Sequence, residues 1–395
     1  MVANPFIPQD LVGRRAELNQ IRHILASDGD LLLAGVPGSG RRTLLHHAAT
    51  MVGAKVIEID CLRATDSNRF LQLLAEGIIS RFQLDRELTL IESWTADQPI
   101  ILERTSRGQA RLTWHLPARD EWRLFQSLLA LPQALAEQLN CRVVLAFMNF
   151  PHIRSWDRSE KWQSYLRQEI QAQTRVSYAL ISTFAESWVQ HSNMQVVVLG
   201  PLKNEDLQPW IESSMAAVGL QFEPDSGALQ LFFDYVQGHM GDAIALARRI
   251  WLDQRAMGTE EKGGGVQGDS IQAKAPASWT HPTSPLSPGA VPFSPIHPHH
   301  VYRSALTLVE DLSFTFESLV LLLPPSQVRV LESLALDPTD SPHSREYIQK
   351  HRLSRGGGLQ GALASLQQKG LVYGPEYHYR ITLPWLGFWL KHRLT

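Results

Sequence analysis

The chain has 395 residues, 44% hydrophobic and 19% charged, with 37 Lys and Arg against 39 Asp and Glu and a net charge of −2. This balance excludes a globally basic nucleic-acid binder, although a local basic face stays open. Two cysteines, Cys61 and Cys141, exclude a disulfide scaffold, and the apolar runs at 143–147 and 319–323 are too short to span a bilayer. The opening Met1-Val2-Ala3-Asn4-Pro5-Phe6 has neither the basic stretch nor the apolar run of a signal peptide. The expectation is a cytoplasmic protein of two or three domains with no membrane partner.

In chain order, 31–34 is a short apolar run that ends at a glycine-rich turn, and 42–51 follows with helical character. A second strand is expected at 55–60 and a helix at 68–82, with further strands at 142–148, 178–182 and 195–199. Short, wholly apolar strands separated by helices imply a parallel sheet covered on both faces. The segment 97–118 interrupts this alternation with a predicted β-hairpin around Ser106-Arg107-Gly108. It carries Arg104, Arg107 and Arg111, with Arg119 just after it, and these suit either a charged sheet edge or a contact with a partner or nucleic acid. From 203 to 256 the pattern is helical. Residues 257–300 are rich in Gly, Pro and Ser and are expected to form a disordered linker. Its histidines, His297, His299 and His300, lack further ligands nearby in sequence and are not read as a metal site. Residues 301–395 form a C-terminal module.

The sharpest motif is Gly35-Val36-Pro37-Gly38-Ser39-Gly40-Arg41-Arg42-Thr43. It follows a strand and opens a helix, the setting in which loop amides and a helix N-terminus wrap an anion. Against the template G-x-x-x-x-G-K-[ST], the glycines and the spacing match. The Lys position holds Arg41 and the Ser/Thr position holds Arg42. Thr43 comes one residue late, about 100° around the helix.

With the stretch from Asn4-Pro5-Phe6 to Leu11-Val12-Gly13-Arg14-Arg15, this motif resembles AAA+ and STAND-type P-loop ATPases, in their archaeal-ATPase-like branch. The resemblance extends to 196–202, to Gly238-His239-Met240-Gly241-Asp242, and to the tail from Tyr379 to Leu390. It implies an α/β P-loop core over 1–202, a helical lid over 203–256 and a winged helix over 301–395. It also implies ATP or ADP on the loop, with Val12, Gly13 and Arg14 near the adenine. Members that hydrolyse ATP end a core strand in Asp-Glu, for magnesium and for the attacking water. The matching strand here puts Met148 and Asn149 at those places. Met is no ligand for magnesium and Asn is no general base, so Mg2+ is not expected to bind in the usual way.

By the same resemblance Ser182, with Thr183, falls where a residue senses the terminal phosphate, although a helix cap is the commoner role of a Ser-Thr at a strand end. Arg248 and Arg249 fall on a lid helix as sensing arginines or as a solvated face. In the module, helices at 326–336, 344–351 and 358–370 and a hairpin at 371–382 resemble a winged helix. Lys350, Arg352, Arg355 and Lys369 are its candidate phosphate contacts. Protein docking is the competing use. The leading expectation is a degenerate ATPase that serves as a nucleotide-responsive switch or scaffold for DNA or a protein, with a homo-oligomer left open. The alternatives are an active ATPase with a non-standard magnesium site and a DNA-binding regulator whose core binds no nucleotide.

Overall fold

The computed structural model describes all residues except 1–3, 105–108, 115–120, 173, 186–188, 190–191, 264–293, 355 and 395. The chain divides into two compact units. One comprises Gly13–Pro201 and Pro325–Thr382; the other comprises Met1–Val12, Leu202–Pro324 and Leu383–Thr395.

The first unit is built on a five-stranded sheet, in the order β2-β5-β6-β1-β7 and parallel throughout. The strands are β1 (Leu31–Gly35), β2 (Ala54–Asp60), β5 (Arg142–Met148), β6 (Val176–Ser182) and β7 (Gln195–Leu199). Every residue of β1 and β6 is buried, which is why both read as unbroken apolar runs. Helices α1 (Arg15–Ala26), α2 (Arg41–Met51), α3 (Ser67–Arg81), α4 (Asp85–Thr95), α5 (Glu121–Leu139) and α6 (Lys161–Ala172) complete the α/β layers. Asp66 caps α3 by accepting from the Arg69 N–H at 2.8 Å. Phe70 of α3 packs among Phe125, Phe147, Trp156 and Trp162, with ring centroids 5.6–6.4 Å away. This aromatic cluster fixes the end of β5.

The expected hairpin forms as β3 (Ile101–Arg104) and β4 (Ala110–Thr113), a separate antiparallel pair. Two of its arginines are engaged, Arg111 with Glu103 and Arg104 with Glu92. That is the pattern of a charged edge. Arg107 and Arg119 lie outside the described residues.

The same unit contains the compact part of the winged helix: α11 (Pro325–Leu336), α12 (Arg345–Lys350) and α13 (Gly357–Gln368). Leu359, Ala362, Leu363 and Leu366 of α13 are buried, as their helical spacing predicts. The wing is shorter than the sequence suggests. It is held by the bridge Val372↔Ile381 and by the Tyr373 N–H bond to the Arg380 carbonyl at 2.9 Å, with a 3-10 turn at Pro375–Tyr377.

The second unit groups α7 (Asn204–Ala217), α8 (Ala228–Val236), α9 (Met240–Gly263), α10 (Pro298–Leu321) and α14 (Pro384–Leu394) with a parallel pair, β8 (Leu220–Phe222) and β9 (Ser294–Ile296). Two expected boundaries change here. The linker was expected over 257–300, but α9 runs on to Gly263, and 294–300 are a paired strand and the start of a helix. The module was expected to be one piece from 301, but α10 and α14 pack with α8 and α9 instead. The reason is apolar surface. Tyr235 of α8 meets Trp385 and Phe388 at 5.9 and 5.1 Å, and Phe316 of α10 meets Trp389 at 5.9 Å.

Asp30 ties the sheet together at the start of β1. Its carboxylate accepts the Tyr178 N–H at 2.8 Å, and its carbonyl accepts the Gln195 N–H at 2.9 Å. Burial pushes the carboxyl up to about 6, against the opposing pull of the Tyr178 hydrogen bond. The folded state therefore holds this proton more tightly than the unfolded chain, and stability falls as pH rises from about 4 to about 6. Asp30→Asn keeps an acceptor oxygen and removes the charge. It should raise the melting temperature at pH 7.5, by up to about 2–3 kcal/mol of stability, with the difference gone near pH 4. Thermal melts of both proteins at the two pH values check this.

Candidate functional site

The chain leaves β1 at Gly35 and turns through the phosphate-loop motif into α2. Gly38 and Gly40 hold φ of 83° and 88°, a region that favours glycine. Gly35 is needed for space, because a Cβ there would lie 2.8 Å from Ser39 Oγ and 3.0 Å from Leu199 Cβ. The first amides of α2 have no acceptor within their own helix, and its positive end lies at the loop. Ser39 is buried and its hydroxyl has no hydrogen-bond partner. These features suit an anionic phosphate group.

The two arginines diverge. Arg41 reaches across to the end of β6, where its Nη1 donates to the Ser182 carbonyl. Burial lowers its pKa to about 10, which leaves it charged at neutral pH. Arg42 turns to β2. Its Nε and Nη2 donate to the two Glu58 oxygens at 2.8 and 2.5 Å, and His46 Nε2 lies 2.5 Å from Glu58 Oε1. Burial alone would raise the Glu58 pKa, but the bonds from Arg42 and His46 outweigh it and hold the carboxyl below its ordinary value. Thr43 follows on the helix, and its carbonyl accepts from His47.

At the neighbouring strand end, Met148 closes β5 and Asn149 adopts a left-handed φ of 54°. Asp60, the last residue of β2, pairs in register with Met148. Asn149 Nδ2 donates to Asp60 Oδ1 at 3.2 Å. The acidic groups near the loop thus stand on β2, at Glu58 and Asp60, and not on β5. Sequence reasoning missed both, although the i, i+2 spacing of acids at the end of a strand was a readable signal.

These residues do not fit a magnesium ion held in the usual way. A thioether stands in the acid position and a guanidinium in the hydroxyl position. A guanidinium at that position repels a divalent ion, and Glu58 is bonded to Arg42 and His46 in place of a cation. Among the described residues no group of three His, Cys, Asp or Glu is placed to hold a metal. Burial raises the pKa of both thiols, Cys61 and Cys141.

Ser182 is fully buried; its hydroxyl accepts the Phe184 N–H at 3.3 Å and its carbonyl receives Arg41. In the N-terminal box, Gly13 and Arg14 both have positive φ, and Arg14 bonds to the Gly200 carbonyl and to Glu17. Arg14 is thereby tied to the end of the β7 connection. Val12 belongs to the other unit. There Arg249 is held by Asp253 at 2.9 Å and Asp311 at 3.0 Å, a structural ion-pair set, while Arg248 is exposed.

The winged helix packs directly on this site. Thr183 Oγ1 donates to the Gln368 carbonyl at 3.1 Å. A Cβ on Gly370 would lie 3.2 Å from Thr183 Cβ and 3.5 Å from Pro37 Cδ. A Cβ on Gly200 would lie 2.2 Å from the Tyr377 ring. Gly35, Val36 and Thr183 share a cavity of about 500 Å³ with Gln367, Gln368 and Tyr377. Of the candidate phosphate contacts, Lys350 is paired with Asp337 and Lys369 donates to Gln327. Arg352 is exposed, and Arg355 lies outside the described residues.

The family model "Probable winged helix domain" matches residues 314–392. A Walker-type ATPase of Pyrococcus abyssi superposes with a TM-score of 0.61 at 14% identity, covering 99% of each chain. The Orc1 protein of Aeropyrum pernix, solved in complex with DNA, gives a TM-score of 0.45 at 14% identity, covering 99% of this chain and 97% of that one. Comparison with curated proteins gives no match. At these identities the likeness concerns the fold: an AAA+-like P-loop core with a C-terminal winged helix. Among the described residues no helix is long and apolar enough to cross a membrane.

Gly35→Ala should strain the loop through Ser39 and Leu199 and lower stability by about 1–3 kcal/mol. Urea unfolding of the two proteins measures it, and an unchanged midpoint would show that the loop yields freely.

Proposed function

We propose that this AAA+-like P-loop chain is a nucleotide-responsive regulator: a pseudo-ATPase that binds ATP or ADP and whose winged helix leaves the phosphate loop to engage a partner. The observation that carries the reading is the seat of α13 and the wing, which share one cavity with Gly35 and Val36. A nucleotide on the loop competes for space next to Pro37 and Gly200, where Gly370 and Tyr377 stand. A ligand that binds the undocked state better than the docked one shifts the population toward release. Hydrolysis is disfavoured because Met148 and Asn149 offer no carboxylate at the end of β5, and Asn149 is engaged with Asp60.

Release would free Gln367 and Gln368 at the end of α13 for contact. A protein partner is favoured over DNA by the pairing of Lys350 with Asp337, which neutralises one of the candidate phosphate contacts. Engagement of DNA would instead need Arg352 and its neighbours.

Tyr377→Ala removes the ring over Gly200 and should tighten ADP binding about tenfold, the equivalent of one 1.4 kcal/mol contact. Added ADP should also raise amide hydrogen exchange over 357–382 in the unaltered protein. Equal affinities, together with unchanged exchange, would sink the switch.

A further inference from the structure

We infer that the phosphate loop takes its nucleotide free of a divalent cation, with the Arg42 guanidinium, held by Glu58, as the built-in counter-charge. The inference rests on the nucleotide reading above and specifies the form of its ligand.

Arg42 is the residue at which the phosphate-loop template puts a cation-binding hydroxyl. Its side chain is 68% exposed, so it can reach a ligand, yet it is not loose. Glu58, 22% exposed and bonded also to His46, grips it through Nε and Nη2. That two-point grip fixes the plane of the guanidinium and leaves the Nη1 edge for an anion. A planar fork of N–H donors binds phosphate oxygens in pairs, which a hydrated magnesium ion otherwise does by bridging.

The carboxylates nearest Arg42 are already committed. Glu58 is engaged by both Arg42 and His46, and Asp60 accepts from the Leu62 N–H and from Asn149. The strand end beside them offers the Met148 thioether. A second, independent sign of a ligand at the loop is the Ser39 hydroxyl, more than nine-tenths buried, facing Gly35 inside the turn and without a partner. Its unmet hydrogen-bonding capacity suits a phosphate oxygen.

Calorimetric titration of ADP and ATP into the full chain, with EDTA and again with excess magnesium, tests this. The unaltered protein should bind with affinities within about twofold of each other in the two buffers. Arg42→Ser, which restores the template hydroxyl, should lose about tenfold in EDTA, as expected for loss of one charge-assisted contact. Its folding is checked by circular dichroism, and if it fails to fold, the two titrations of the unaltered protein still decide. Binding tightened by magnesium beyond that twofold margin would overturn the inference and leave the nucleotide reading standing. An Arg42→Ser protein that is folded and binds unchanged in EDTA would also overturn it. Absence of binding in both buffers would overturn the inference and the nucleotide reading together.

Discussion

The position of β1 inside the sheet constrains everything at the site. It is hydrogen-bonded to β6 on one side and to β7 on the other, in parallel register along its length. Paired on both edges and buried on both faces, it is held in register, because a one-residue shift would turn every side chain to the opposite face and disrupt the packing on both. Its exit at Gly35 is therefore fixed against Leu199, where there is no room for a Cβ. The loop glycines turn the chain, and α2 starts with its positive end at the mouth of the sheet. Arg41 and Arg42, adjacent in sequence, then point about 100° apart around the helix. That is why one serves β6 and the other β2.

The distribution of charge follows from this geometry. An active P-loop ATPase concentrates its acids at the end of one core strand. Here the corresponding strand ends in Met148, and its neighbour β2 carries Glu58 and Asp60. The Arg42–Glu58 pair is partly exposed, so its contribution to stability is modest, on the order of 1 kcal/mol or less. Its local consequence is geometric: it decides where the Arg42 guanidinium stands at the start of α2.

The winged helix adds the second constraint. Its buried face is satisfied within its own helices, so the remaining face of α13 is free to be used elsewhere. The structure spends part of that face on the core, through Gln368, Gly370 and the turn at Pro375–Tyr377. A surface that suits recognition is thus in contact with the site that suits a nucleotide. Under the proposed function, this contact would couple the two uses without any relay between them, because it would have to open for either ligand.

Sequence alone was sufficient where the signal is local. The apolar runs of β1, β5, β6 and β7, the phosphate-loop glycines, the loss of acids at Met148 and Asn149, and the buried stripe of α13 all depend on residues close in the chain. Chain periodicity and conformational preference encode such features directly. Pairings distant in sequence stayed hidden: Arg42 with Glu58, Asn149 with Asp60, and Thr183 with Gln368, which lies 185 residues away. The same holds for the grouping of α10 and α14 with α8 and α9, which cuts across the expected module boundary. A polar or apolar residue needs a partner, but its identity does not say which one. Strand order and helix packing choose the partner, and only the folded chain supplies them.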